Sequence, residues 1–255
     1  MTARTQESVA VAQFGAQARA YLGSAVHAQG ADLTALAALA AGQAQARVLD
    51  LGCGGGHVAY AVAPEVAEVV AYDLSAEMLA VVAAAARERG LANLRTVEGP
   101  AERLPFPDDS FDIVLSRYSA HHWRDLDAGL REAARVVRPG GLVGIVDAVS
   151  PGVPALDTFL QAVELLRDTS HVRNRSRTEW EAALALADLM TDRVAGFRVP
   201  LDYATWIARM RTPPVQAAAI RALQAAATDR VRRHFELAED GSFMLDVALF
   251  TARRR

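Results

Sequence analysis

The sequence has 255 residues, 52% of them hydrophobic and 22% charged, and a formal net charge of −3. This suits one large α/β domain with a buried core and excludes wholesale disorder, and the near balance of charge leaves no electrostatic footprint for nucleic acid or an anionic membrane. All 27 basic residues are arginine, which excludes Schiff-base chemistry and a phosphate-loop lysine; the single cysteine, Cys53, excludes an internal disulfide and a cysteine-rich metal site. In chain order, residues 1–46 read as helical. Phe14, Ala18, Tyr21 and Leu22 fall at helical spacing, and Asp32 is placed to cap a second helix ending near Gly42. A charged start followed by a long apolar run is missing here, and nowhere is there a stretch of about 20 uncharged apolar residues. The expectation is a soluble, cytoplasmic protein without stable membrane insertion.

Residues 47–51 are a short apolar run stopped by glycines, which predicts a buried strand. A turn over 52–56 and a helix from His57 follow. A second strand over 68–72 ends at Asp73. Ser75 is a good N-cap and Glu77 lies in the first turn of a helix that stops at Gly90. Strands are predicted over 94–98, 111–116 and 142–147, with a helix over 125–137. The alternation argues for a parallel sheet covered on both faces. Beyond it, helices are predicted over 155–168, 177–189 (with Ser176 and Glu179 as a capping box), 203–210 and 214–234, and strands over 193–199 and 243–251.

The sharpest local signal is Asp50-Leu51-Gly52-Cys53-Gly54-Gly55-Gly56, between a strand and a helix. Glycines there let the backbone turn tightly and approach a ligand closely. A dinucleotide fingerprint needs Gly-x-Gly-x-x-Gly, and in either register its third glycine falls on His57 or Ala59. The spacing is Gly-x-Gly-x-Gly instead, with an acid two residues ahead. Asp50 suits the loop itself and the ammonium or sulfonium end of an amino-acid cofactor. Asp73, ending the second strand, can accept hydrogen bonds from both hydroxyls of a ribose.

These two segments, with Tyr72-Asp73-Leu74-Ser75-Ala76-Glu77-Met78-Leu79, Leu104-Pro105-Phe106-Pro107-Asp108-Asp109-Ser110-Phe111-Asp112 and Arg138-Pro139-Gly140-Gly141, stand in the order and spacing of one group. Residues 45–150 closely resemble the class I S-adenosylmethionine (AdoMet)-dependent methyltransferases, in particular those related to the ubiquinone and menaquinone C-methyltransferases. The resemblance implies a Rossmann-like doubly wound sheet of seven strands, the last antiparallel. It implies AdoMet as cofactor and S-adenosylhomocysteine as product. Gly52, Cys53, Gly54 and Gly56 would line the methionine and ribose portion, Asp73 the ribose hydroxyls, and Leu74 and Met78 the adenine. Pro100, Ala101 and Glu102 would meet the adenine edge, Ser116 and Arg117 the methionine portion, and Tyr21 would close over the cofactor, a role for which Phe14 and His27 are also candidates. One departure stands out: the family often carries Asp at the position of Pro100, which offers neither that acceptor nor a backbone N–H. Losing one such bond costs about 0.5–1.5 kcal/mol.

On the resemblance, the methyl acceptor is expected after the fourth strand. Tyr118, His121 and His122 are candidates there, a histidine acting as base or orienter. Adjacent histidines diverge by about 100° on a helix, so no metal site is expected. In the second half, His171 is a further candidate base, and His171 and Arg173 are candidates to recognise an acidic or carbonyl group, with Trp180, Glu164 and Trp206 as wall residues and Asp147 as a pocket acid. The expected organisation is a helical lid over 1–46, the AdoMet-binding core over 47–150, a helical cap insertion over 151–191 and completion of the sheet over 192–255. The expected activity is methyl transfer to a small molecule at O, N or C. The alternatives are a quinone-precursor C-methyltransferase or a non-catalytic AdoMet-binding regulator. A homodimer is compatible with this reading.

Overall fold

The computed structural model describes residues 5–15 and 30–255. Tyr21 and His27 lie outside them, and so does the side chain of Phe14. Among the described residues, seven strands form one sheet in the order β3-β2-β1-β4-β5-β7-β6. They are β1 (Arg47–Leu51), β2 (Glu68–Asp73), β3 (Leu94–Glu98), β4 (Phe111–Arg117), β5 (Val137–Ala148), β6 (Leu189–Leu201) and β7 (Phe243–Arg254). β7 runs antiparallel to both β5 and β6, and the other pairs are parallel. The order reverses between β1 and β4, which opens a crevice at their carboxyl ends, where sheets of this kind bind ligands.

Side chains alternate across the strands. Val48, Ala71, Ile113 and Val146 enter one apolar cluster, while Leu49, Tyr72, Val114 and Ile145 enter the other. Helices α1 (Gln6–Gly15), α2 (Ala31–Ala37), α3 (His57–Val62) and α4 (Ala76–Glu88) come first. After them come α5 (Leu126–Val136), α6 (Pro154–Arg167), α7 (Arg177–Leu186), α8 (Tyr203–Arg209), α9 (Pro214–Ala225) and α10 (Asp229–Phe235). The first cluster is covered by α2, α3, α4, α6, α8, α9 and α10. The second is covered by α5 and α7. The segment 151–191 is thus split: α6 buries Leu156, Leu160 and Val163 on one face, and α7 buries Trp180 and Leu184 on the other.

Caps follow the sequence. Ser75 accepts from Met78 N, Asp125 from Ala128 N, and Ser176 with Glu179 completes the capping box. Two expectations change. Asp32 does not cap α2; Gly30 holds the N-cap position and Asp32 turns inward to an ion pair. The single helix expected over 214–234 is broken after Ala225, where Thr228 caps α10 by accepting from Val231 N. Among the described residues, no helix is long and apolar enough to cross a membrane.

Candidate active site

A cleft enclosing about 1610 Å³, counting space continuous with solvent, opens at the carboxyl ends of β1, β2, β4 and β5. Its first half is built by the glycine loop. Gly52 N and Cys53 N both donate to Tyr72 O, at 2.8 and 2.9 Å, tying the loop to β2. Gly52, Gly54 and Gly56 have φ of 70°, 49° and 80°, the left-handed region. A Cβ on Gly52 would stand 1.8 Å from Ser119 Oγ, whereas one on Gly54 would meet nothing within 4 Å and would project into open space. Gly56 does not line the cleft as expected: it closes the turn into α3, where a Cβ would stand 2.7 Å from the Tyr60 ring.

Asp50 is 1% exposed and accepts from Ala59 N at 3.0 Å, pinning the start of α3. Burial raises its pKa to about 7; the Ala59 hydrogen bond opposes this, and the neighbouring charge of Asp73 adds to it. Asp73 accepts from Gly54 N at 2.8 Å through Oδ2 and from Ser75 N at 3.0 Å through Oδ1. Burial outweighs these hydrogen bonds, and a further one from the Leu74 backbone, and holds its pKa above the usual value. Leu74, Met78, Pro100, Ala101 and Glu102 line the wall beside it. The Pro100 carbonyl accepts from Tyr72 Oη at 3.0 Å. Cys53 is buried and burial pushes its thiol well up, which fits a packing residue rather than a nucleophile.

At the end of β4, Arg117 lines the cleft and pairs with Asp32 at 2.7 Å, both side chains buried. Its guanidinium stacks 4.8 Å over the Tyr118 ring. Tyr118 also lines the cleft and sits at φ 51°, a strained conformation for a bulky residue. Ser116, expected beside them, does not reach the cleft: it is 1% exposed and its Oγ has no partner among the described residues.

The second half of the cleft holds His121 and His122. His121 Nδ1 lies 2.5 Å from Asp147 Oδ1, and its backbone N donates to Asp147 Oδ2 at 3.1 Å. Burial alone would lower its pKa; the charge and hydrogen bond of Asp147 outweigh burial and raise it above the ordinary 6.5. His122 goes the other way, lowered to about 3 by burial and by the adjacent His121, whose ring centroid is 4.1 Å away. His171 does not line the cleft; it stands behind, its ring 5.8 Å from that of His121, with Nε2 on Gln161 Oε1 at 3.0 Å. Burial lowers its pKa to about 4.

Two expected acceptor residues are displaced from the cleft. Arg173 pairs with Asp157 and Glu179, each at 3.2 Å, and lines a separate notch. Trp180 is 2% exposed and stacks on Phe250 at 5.3 Å in the core beneath α7. The same polar segment turns Asp168 and Asn174 into the cleft instead, beside Glu164 and Trp206. Nothing in the sequence marked Asn174 among its charged neighbours.

The methyltransferase-domain family model of type 11 matches residues 49–145. An uncharacterized Escherichia coli (strain K12) protein, YafE, is 49% identical over 199 residues, which covers 78% of this chain and 96% of YafE. An uncharacterized methyltransferase of Bacillus subtilis, YcgJ, is 42% identical over 200 residues, 78% of this chain and 79% of YcgJ. The crystal structure of YcgJ superposes with a TM-score of 0.85 at 38% identity, covering 88% of this chain and 98% of that one. A demethylmenaquinone methyltransferase of Chlorobaculum parvum matches over 116 residues at 36% identity, 45% of this chain and 46% of the relative. With the glycine loop, the sheet order and near-full-length relatives in agreement, this chain belongs to the class I AdoMet-dependent methyltransferases, in the type 11 family.

Proposed function

We propose that the chain methylates a small molecule bound beside the cofactor, with His121 as general base and Asp147 as its orienter. The observation that carries this reading is the 2.5 Å contact between His121 and Asp147 in the same cleft as the glycine loop and Asp73. The residues present fit AdoMet. Asp73 ends β2 on the cleft wall and offers carboxylate oxygen to the ribose hydroxyls. Gly54 leaves the space a side chain would fill, and Asp50 offers negative charge to the cationic end of the cofactor. Leu74 and Met78 would pack on adenine, with Pro100, Ala101 and Glu102 along its edge. Bound AdoMet supplies an electrophilic methyl group on a sulfonium.

The protein then aligns the acceptor, excludes water and removes a proton. His121 donates Nδ1–H to Asp147, which leaves the Nε2 lone pair to take the acceptor's proton. Its raised pKa puts it nearer to neutrality than His122, whose basicity is nearly lost. Besides Tyr118, His121 and His122, the acceptor wall comes from residues 148–245, beyond the family match at 145, and it is this later part that distinguishes one acceptor from another. The small-molecule character rests on the cover that α1 gives the cleft through Gln6, Glu7 and Ala10.

The test is titration calorimetry with AdoMet, S-adenosylhomocysteine and NADH, followed by transfer of labelled methyl in a whole-cell extract that is then separated by size. Binding of both AdoMet forms without NADH is expected. Asp73→Ala should weaken AdoMet by tenfold or more, and His121→Asn should leave its affinity intact while lowering transfer by about 10²–10⁴. Label found only in macromolecules would overturn the small-molecule reading.

A further inference from the structure

The methyl-acceptor end of the cleft contains polar atoms that the fold leaves without partners. Asn174 is 1% exposed, and both its Oδ1 and Nδ2 lack a hydrogen bond among the described residues. Asp168 is 2% exposed with Oδ2 in the same state. Both residues line the cleft. An unsatisfied buried polar group costs about as much as a lost hydrogen bond, and each instance needs an explanation.

Neither side chain is there by loose packing. The backbone of Asn174 is clamped by Gln161, which accepts from its N–H at 3.0 Å and donates to its carbonyl at 2.7 Å. Asp168 Oδ1 takes the Ser170 N–H at 2.8 Å and the Ser170 hydroxyl at 2.7 Å, which fixes the carboxylate and leaves Oδ2 turned away. The same hydroxyl sets a neighbour. His122 Nδ1 lies 3.2 Å from both Ser170 O and Ser170 Oγ. The carbonyl can only accept, and the hydroxyl has given its proton to Asp168. His122 Nε2 lies 3.9 Å from Asp168 Oδ2. Arg167 and Arg209 also line this end of the cleft, and Arg167 is engaged by the Trp206 carbonyl at 3.1 Å and by Glu164 at 3.4 Å; of the unpartnered atoms of Asp168 and Asn174, two are acceptors and one, the Asn174 amide nitrogen, is a donor.

We propose that Asp168 and Asn174 form the specificity subsite for the methyl acceptor, and that they take an uncharged head that carries two donors and one acceptor. A pair of neighbouring hydroxyls or a primary carboxamide meets that requirement. Two donors satisfy Asp168 Oδ2 and Asn174 Oδ1, and one acceptor satisfies Asn174 Nδ2. A carboxylate brings no donor and would face the Asp168 charge. The rest of the acceptor lies on Ala148, Val199, Leu201, Leu245, Met210 and Trp206, an apolar bed suited to a flat hydrocarbon body. This inference rests on the methyltransferase reading for the word acceptor, but the head-group preference is measurable without it.

The probes are 2,3-dihydroxynaphthalene, 2-naphthamide and 2-naphthoate, which share one body. Each is titrated into the full chain, alone and loaded with S-adenosylhomocysteine. The diol or the amide should bind at least tenfold more tightly than the acid, and which of them leads identifies the head. Asn174→Leu should remove most of that preference without changing S-adenosylhomocysteine affinity. Asp168→Asn, nearly identical in shape and so the safer variant to fold, replaces an acceptor by a donor and should raise the affinity of the acid relative to the diol and amide. The proposal is overturned if the acid binds as well as the others, if neither diol nor amide binds, or if Asp168→Asn keeps the wild-type preference. Failure of S-adenosylhomocysteine to bind would strike the cofactor reading alone, because the fragments are also compared on the unloaded protein.

Discussion

Two carboxylates, Asp50 and Asp73, flank one glycine loop at the ends of adjacent strands, and each raises the pKa of its surroundings. With the pKa of Asp50 near 7, a cationic ligand favours its ionised form. AdoMet affinity should therefore rise with pH through 7, by up to about tenfold per unit below that point. Calorimetry between pH 6 and 8 checks this, and Asp50→Asn should flatten the profile. Pro100→Asp should restore an acceptor for the adenine amino group and tighten AdoMet by about 2–10-fold; an unchanged dissociation constant would show that the adenine edge lies elsewhere. The glycine loop and Asp73 could be read from the sequence because backbone conformation and strand ends leave local marks. Asp32 and Asn174 could not. Asp32 acquires its meaning from Arg117, 85 residues away, and Asn174 from a clamp by Gln161. Arg173 and Trp180 misled for the same reason. Their chemistry was visible in the sequence, but the partners that occupy them, Asp157, Glu179 and Phe250, were not.

Helix α1 illustrates how an element can belong to the site without belonging to the core. It lines the cleft through Gln6, Glu7 and Ala10. Its tethers are polar: Gln6 donates to Ser170 O at 2.6 Å, Gln13 to Met210 O at 2.8 Å, and Glu7 pairs with Arg124 at 3.1 Å. Such contacts open more easily than apolar packing. Gln6→Ala with Gln13→Ala should speed AdoMet dissociation by about tenfold while moving the melting temperature little, as stopped-flow and thermal scans would show. The first four strands were legible to within a residue, since apolar runs between glycines and prolines leave little choice; β5 and β6 begin at Val137 and Leu189, ahead of the expected 142 and 193. The break between α9 and α10 was not, because Ala225–Ala227 continues a helical pattern and Thr228 acts only when its hydroxyl caps the next turn.

At the scale of the molecule, His122 and His171 are held neutral, with pKa values near 3 and 4 against 6.5 when exposed. A histidine whose folded value is depressed contributes stability that is full above 6.5 and declines as pH falls toward the folded value. Each should cost about 1 kcal/mol per pH unit over that window. His121, with a raised value, has the opposite sign: its contribution is full below 6.5 and fades as pH rises through its folded value. Denaturant melts should thus lose stability steeply from pH 6 to 4, and His171→Gln should make the slope shallower.

The sheet ends on β6, thirteen residues long and paired only with β7 among the described residues. An edge of that length is a template for another copy of the chain. Here it carries Asp192, Arg193, Arg198 and Pro200, and its register slips between Thr191 and Arg193. Charge, a missing N–H and a kink each discourage strand-to-strand addition. The chain can therefore present a long open edge at high concentration without seeding fibres, and any dimer it forms should use a surface other than this edge.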